Sequence, residues 1–467
     1  MSTPPSPQPA HARRTPTGPQ AGHNRRSTVI ATATGAAVVV GCAVLLAPGP
    51  ATSPTAAALA ASSATPADSA APSAAASASA SDAGSSAGTD TDSAVPSAAA
   101  SDSLAASPSA TASPTATAHP AALLIGAHQS VPGASALTWP KQGQARIDVD
   151  GYGSLGSYGP VSTAQSIASV TKTMTAYLIL RDHPLNPGQQ GPVITLTAAD
   201  VAAYNYDVSQ NMSSVPVKAG EQLTENQALQ ALMLASADNI ADVLAHWDTG
   251  TTTDTKFVAE MNAAAATLGM THTHYTDASG YDPGSSSTAP DQILLARNAM
   301  FMSYFAGLVD QTSAGIPVAG TITNYNSLLG YDGVDGIKTG STNQAGGCLL
   351  FNADVTLDGR RVSLTGAVLG QDAPSGQELG VGMAAAKALI SSAEAEITTR
   401  TLIPAGTAVA TLTLADGSTQ TLTTAQDFDI VAWPGEPVTL KLTGFTAIPA
   451  LQAYASNGRL LGTVALH

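Results

Sequence analysis

Ser169-Val170-Thr171-Lys172-Thr173-Met174-Thr175-Ala176 is the stretch on which the reading of this chain turns. A hydroxyl and an amine stand there at i and i+3, positions that share a face on a helix. Composition and apolar spacing predict a helix from Ser169 to His183, stopped by Pro184. A serine hydroxyl is a poor nucleophile until a neighbouring base takes its proton, and a lysine serves as that base only when burial or nearby cations keep it neutral. Ser169 at a helix N-terminus would also aim the helix dipole at a developing oxyanion. An isolated Ser-x-x-Lys is common by chance, and its plain reading is a surface helix.

Two further elements raise its weight. Lys338-Thr339-Gly340 follows Val334-Asp335-Gly336-Ile337, in a stretch leading into strands. With seven lysines in 467 residues, a chance Lys-Thr-Gly is expected on the order of a tenth of the time. The lysine would offer positive charge to a substrate carboxylate, and the bare Gly340 would let substrate approach the strand edge. The plain alternative is a glycine turn before a strand. Ser236-Ala237-Asp238-Asn239, closing the apolar run Ala231 to Ala235, is the third element; alone it reads as a loop or helix cap. Ser-x-x-Lys, Ser-Asp-Asn and Lys-Thr-Gly together form the signature set of class A β-lactamases and penicillin-binding proteins.

On these residues the chain resembles the D-alanyl-D-alanine carboxypeptidases, the serine peptidase family of low-molecular-mass penicillin-binding proteins. Ile167 to Ala176, Phe257 to Asn262, Leu268-Gly269-Met270, Ser279-Gly280 and Gly333 to Gly340 all read like that family. The resemblance covers residues 136–392, and weakly the tail beyond. It implies an α+β transpeptidase fold, an antiparallel sheet flanked by helices with a helical subdomain, and removal of the terminal D-alanine from peptidoglycan stem peptides through a Ser169 acyl-enzyme, which limits cross-linking. It further implies covalent binding of β-lactams, no cofactor and no metal. Lys172 would be the base, Ser236 a proton relay, Lys338, Thr339 and Gly340 the substrate-binding strand, and the backbone N–H groups of Ser169 and Ser341 the oxyanion hole.

One position departs from the family, which usually has Asn two places after the second serine where this chain has Asp238. An Asp cannot donate the amide hydrogen bond, and its charge would hold Lys172 protonated. Either Asn239 takes the role, sharing an i, i+3 face with Ser236, or Asp238 itself does. Three alternatives stay open: a non-catalytic peptidoglycan-binding protein on a degenerate fold, a β-lactamase, and a zinc hydrolase using His272, His274 and Asp277. The second wants a Glu-x-x-Leu-Asn segment, which is not found after Asn239; the third lacks further ligands at metal-site spacing.

The rest of the chain frames this site. Residues 1–50 carry four arginines and no acid, so the remainder holds 14 − 33 = −19 of the net −15. Residues 1–26 read as a basic cytoplasmic tail. Residues 27–48, with the uncharged run Val29 to Ala47 behind Arg25 and Arg26, read as a transmembrane anchor, or as a signal segment cleaved at the small residues from Ala51 on, or as a lipoprotein-type segment at Cys42. Residues 49–121, mostly Ala, Ser, Thr and Pro, read as a disordered linker. A catalytic domain is expected over 122–392 and a β-rich domain over 393–467, both outside the membrane. The acidic excess excludes nucleic acid as a partner, and one cysteine beyond the apolar run, Cys348, excludes an internal disulfide there. Expected elements are a hairpin over Gln144 to Gly159, helices Glu225 to His246, Lys256 to Leu268 and Thr288 to Phe305, strands Gly347 to Val355 and Arg361 to Leu369, and a helix Gly376 to Ser392.

Overall fold

Residues 121–357, 360–444 and 449–467 are described by the computed structural model. The expected tail and anchor, and the linker up to residue 120, lie outside them. Among the described residues no helix is long and apolar enough to cross a membrane. Two short strands come first, β1 (Ala122–Leu123) and β2 (His128–Ser130), and the expected hairpin follows as β3 (Gln144–Val149) and β4 (Gly153–Tyr158). Later in the chain, β5 (Val334–Thr342), β6 (Gly346–Leu357) and β7 (Arg360–Gln371) join that hairpin in an antiparallel sheet of order β5-β6-β7-β3-β4.

Between β4 and β5 lie α1 (Lys172–Asp182), α2 (Ala198–Ser209), α3 (Glu225–Met233), α4 (Asp238–Thr249), α5 (Thr255–Thr267), α6 (Ala289–Met300) and α7 (Ser303–Val309); α8 (Glu378–Glu396) follows β7. Side chains alternate across a strand, and β6 shows what that does here. Cys348 and Leu350 enter a core shared with α1, α3, α4 and α6, while Leu349, Phe351 and Ala353 enter a second core with Leu389, Ile390 and Ala393 of α8. Each fully buried Leu or Phe contributes about 1.5–3 kcal/mol, so a one-residue slip of β6, which exchanges its faces, would repack both cores at once.

Three expected helices end elsewhere. Glu225 to His246 is two helices, broken over Leu234–Ala237 where Ser236 takes a left-handed φ of 58°. Thr288 to Phe305 breaks at Phe301–Met302 into α6 and α7, and α8 runs on to Glu396 rather than stopping at Ser392. The sequence reading missed α2, although its capping box was there to see: Thr197 Oγ1 accepts from Asp200 N, and Asp200 Oδ2 accepts from Thr197 N.

The tail forms β8 (Thr398–Ile403), β9 (Ala408–Thr413), β10 (Thr419–Thr423), β11 (Phe428–Ala432), β12 (Pro437–Thr443), β13 (Ala450–Ala455) and β14 (Leu460–Ala465), in three small sheets. β1 pairs with β9 and β2 with β12, and Val131 sits in the core of this module. Residues 122–131 therefore belong with the β-rich module, which corrects a catalytic domain starting at 122. Strands of two and three residues carry no local pattern, and their partners lie almost the whole described chain away.

Glu225, the first residue of α3, is fully buried, and neither carboxylate oxygen finds a hydrogen-bond partner among the described residues. Burial pushes its carboxyl up to about 7. The raised value means that this group's contribution to stability is fully present below the ordinary glutamate range and is lost as pH rises through about 7, at a cost of roughly 2 kcal/mol. Glu225→Gln is therefore expected to melt about 2–5 °C above the parent at pH 8.5 and close to it at pH 4.5, as followed by circular dichroism. An equal effect at both pH values would show that the carboxyl is not the cause.

Candidate active site

Ala168–Thr171 make one 3₁₀ turn that runs directly into α1. Ala168 holds a left-handed φ of 47°, an arrangement that costs an alanine about 1–2 kcal/mol. The turn leaves Ser169 just ahead of the N-terminus of α1 and Lys172 at its first residue. Lys172 is fully buried, and its Nζ donates to Ser169 Oγ at 3.0 Å, to Ser279 O at 2.7 Å and to Asp238 Oδ1. Three N–H groups thus meet three oxygens, the full donor capacity of an ammonium.

The carbonyl of Ser279 is held in place by Asp277, which the sequence reading named only in the zinc alternative. Asp277 Oδ2 accepts from Ser279 Oγ at 2.7 Å, Gly280 N at 2.8 Å and Tyr281 N at 2.9 Å, and Asp277 Oδ1 from Ser285 Oγ at 2.5 Å. Thr175 of α1 ties the same loop by donating to Ala278 O at 2.6 Å. Asp277 is engaged in folding this loop and makes no metal-ligating cluster with His272 and His274 among the described residues. An Asp ahead of Ser-Gly that bonds the following backbone is an Asx-turn pattern, the signal that could have found it.

Asp238 and Asn239 separate cleanly. Asn239 is buried with its amide turned to another segment: Oδ1 accepts from Val215 N at 3.1 Å and Nδ2 donates to Val215 O at 3.0 Å. Because α4 begins at Asp238 and Ser236 lies in the turn before it, Ser236 and Asn239 share no helical face. Asp238 is the residue that meets Lys172 and lines the cleft. Burial pushes its carboxyl up, with Lys172 opposing. Ser236, also buried, sits in the left-handed turn at the start of this segment.

The cleft encloses about 480 Å³ and is lined by Ser169, Asp238, Tyr281 and Ser341 together with a strap, Gln210 to Ser213, that sequence reading did not connect with the site. The strap leaves α2 and is stitched down by Met212 N donating to Asp207 O at 2.9 Å and Asp238 N donating to Ser213 O at 2.7 Å. Lys338 and Thr339 of β5 are buried beside it, and Lys338 Nζ donates to Thr339 O at 3.0 Å. Burial, and then the neighbouring Lys172, hold the Lys338 ammonium well below the usual lysine range, with Asp238 opposing.

Gly340 has a different reason from the one read in the sequence. A Cβ there would stand 2.9 Å from Ile167 O and 3.0 Å from the backbone nitrogens of Ser169 and Val170. The missing side chain lets β5 pack against the turn that carries Ser169. Gly340→Ala is expected to displace Ser169 and, if Ser169 is acylated, to lower that rate by about 10²-fold; an unchanged rate would show that the turn is not seated by this contact.

A family model described as D-alanyl-D-alanine carboxypeptidase matches residues 160–372, which contain all the residues just described. The D-alanyl-D-alanine carboxypeptidase DacB2 of Mycobacterium tuberculosis is 38% identical over 39% of this chain and 60% of its own length. A D-alanyl-D-alanine carboxypeptidase of a Streptomyces species is 32% identical over 41% of this chain and 69% of its own. The chain belongs to the D-alanyl-D-alanine carboxypeptidase family. It spans 60–69% of the length of these two relatives. The fold is that of the Francisella tularensis D-alanyl-D-alanine carboxypeptidase DacD, whose crystal structure is 18% identical with a TM-score of 0.52 over 72% of this chain and 95% of that one. The turn before α1, the first residue of α4 and the sheet-edge strand β5 meet at one cleft through Ser169, Asp238 and Ser341.

Proposed function

We propose that this protein is a serine-type D-alanyl-D-alanine carboxypeptidase that trims the terminal D-alanine from peptidoglycan stem peptides and is acylated by β-lactams. The observation that carries the reading is the 3.0 Å contact between Lys172 Nζ and Ser169 Oγ at the base of an open cleft. Ser169 Oγ forms a bond to the carbonyl carbon of the penultimate D-alanine while its proton passes to the Lys172–Asp238 pair. An ammonium already donating to three oxygens cannot take that proton, so the pair must first hold one proton fewer; the raised proton affinity of buried Asp238 lets the carboxyl share it. The peptide bond then breaks, and the departing amine of D-alanine takes a proton by way of Ser236. Water attacks the Ser169 ester and frees the shortened peptide.

Backbone N–H groups of Ser169 and Ser341 would bind the oxyanion, and Lys338 with Thr339 would hold the terminal carboxylate once substrate enters. A membrane-tethered enzyme facing away from the cytoplasm fits the arginines ahead of the uncharged run Val29 to Ala47. The fully satisfied Lys172 ammonium also suits a second reading, a peptidoglycan-binding protein that does not turn over. Intact mass spectrometry of the full-length protein with benzylpenicillin, alongside D-alanine release from a peptide ending in D-Ala-D-Ala, tests the two. A stoichiometric adduct with catalytic release supports the enzyme; neither adduct nor release, with peptidoglycan still bound, supports the second.

A further inference from the structure

Behind the Lys172–Asp238 pair the structure holds a buried carboxyl that the proposed reaction does not use. Asp207, in the last turn of α2, is 4% exposed, and its Oδ2 has no hydrogen-bond partner among the described residues. α2 packs on α4, and the strap leaving Asp207 is fastened to the start of α4 through Ser213 and Val215. This stitching fastens the chain leaving Asp207 to the first turn of α4, and both members of the pair act on the Asp207 carboxyl, Asp238 raising it and Lys172 lowering it.

We propose, on the strength of the carboxypeptidase reading above, that Asp207 is a positioning residue for acylation: acting through Asp238, its carboxylate sets the pH at which the Lys172–Asp238 pair releases the proton that blocks the base. A second carboxylate in a water-poor setting stabilises the Lys172 cation and repels charge on Asp238, and both effects keep the pair protonated. Desolvation works on Asp207 as well. Burial first, then Asp238, with Lys172 opposing, push its carboxyl up to about 6, so Asp207 gains its charge only above the ordinary aspartate range.

The groups facing it are Lys172 from α1 and, from α4, Asp238 and Asp242. Asp242 is pushed up to about 8 by burial, then by Asp254 and Asp207. Lys338 of β5 and Asp277 of the loop before α6 act on Asp238 in opposite senses. These groups titrate together, and their macroscopic behaviour belongs to the set.

Asp207→Asn keeps the shape and removes the charge. With the full-length protein, the second-order rate of acylation by benzylpenicillin is read by intact mass from pH 4.5 to 9. The acid limb of Asp207→Asn is expected to move to lower pH by about one pH unit, while Asp207→Glu stays within a few tenths of the parent. In an Asp238→Asn background the same Asp207→Asn change is expected to move the limb less, because the route through Asp238 is gone. A limb that stays put in Asp207→Asn, or rates scaled equally at every pH with a lowered melting temperature, overturns the proposal and leaves the carboxypeptidase reading standing. No adduct in the parent protein at any pH overturns that reading and this inference with it.

Discussion

A Ser169→Ala variant is expected to keep its unmodified mass after hours with benzylpenicillin, and to release D-alanine no faster than buffer does. The loss should be at least about 10⁴-fold, because no ester can form and the remaining groups only bind and polarise. The fold should survive: the one hydrogen bond that Ser169 Oγ makes among the described residues is to Lys172, whose other two acceptors remain. Melting within about 2 °C of the parent would certify that the loss is chemical. An adduct that persists in this variant would mean that another residue is the nucleophile.

Lys172→Ala should slow acylation by about 10³–10⁴-fold, and unlike the first change it should also disturb the fold. Removing the amine leaves Ser279 O without a donor and Asp238 without its counter-charge, in a place shielded from water. An abandoned buried carboxylate takes up a proton to avoid an unpaired charge. Asp238, already raised by burial and now without the opposing Lys172, goes higher still. The sign follows: this carboxyl supports the fold at low pH and costs stability as pH rises through its new value. The variant is therefore expected to melt closest to the parent in acid and to fall furthest behind it above pH 7, a trend that calorimetry across pH would read. Lys172→Arg should not restore activity, since a guanidinium remains charged. Retention of more than a tenth of the acylation rate in Lys172→Ala would remove lysine from the base's role.

Local geometry explains what could be read ahead of the structure. Ser169 and Lys172 stand three residues apart on one turn, so their meeting follows from helical geometry, and the strands either side of residues 358–359 follow from alternation in β6 and β7. The break between α3 and α4 was hidden because a left-handed residue is normally flagged by Gly, and here it is Ser236. That break puts Asp238 at the start of α4 beside Lys172, while Asn239 turns to Val215. Gly340 was noticed for the right absence and the wrong neighbour, since which backbone approaches a glycine is a tertiary fact. Asp207 carries no motif at all; its standing comes from α2 packing on α4 and from burial, neither of which is written in its neighbours.

The pairing of β1 with β9 and β2 with β12 also fixes where mechanical load enters the molecule. A pull on the backbone ahead of Ala121 reaches the β-rich module first, through hydrogen bonds to strands near the other end of the chain, and reaches β3 only after passing through it. The hydrogen bonds of β1 and β2 are thereby loaded before the turn that carries Ser169. Trimming the tail at residue 394 would strip β1 and β2 of their partners and leave β3 as the first paired strand that such a pull meets.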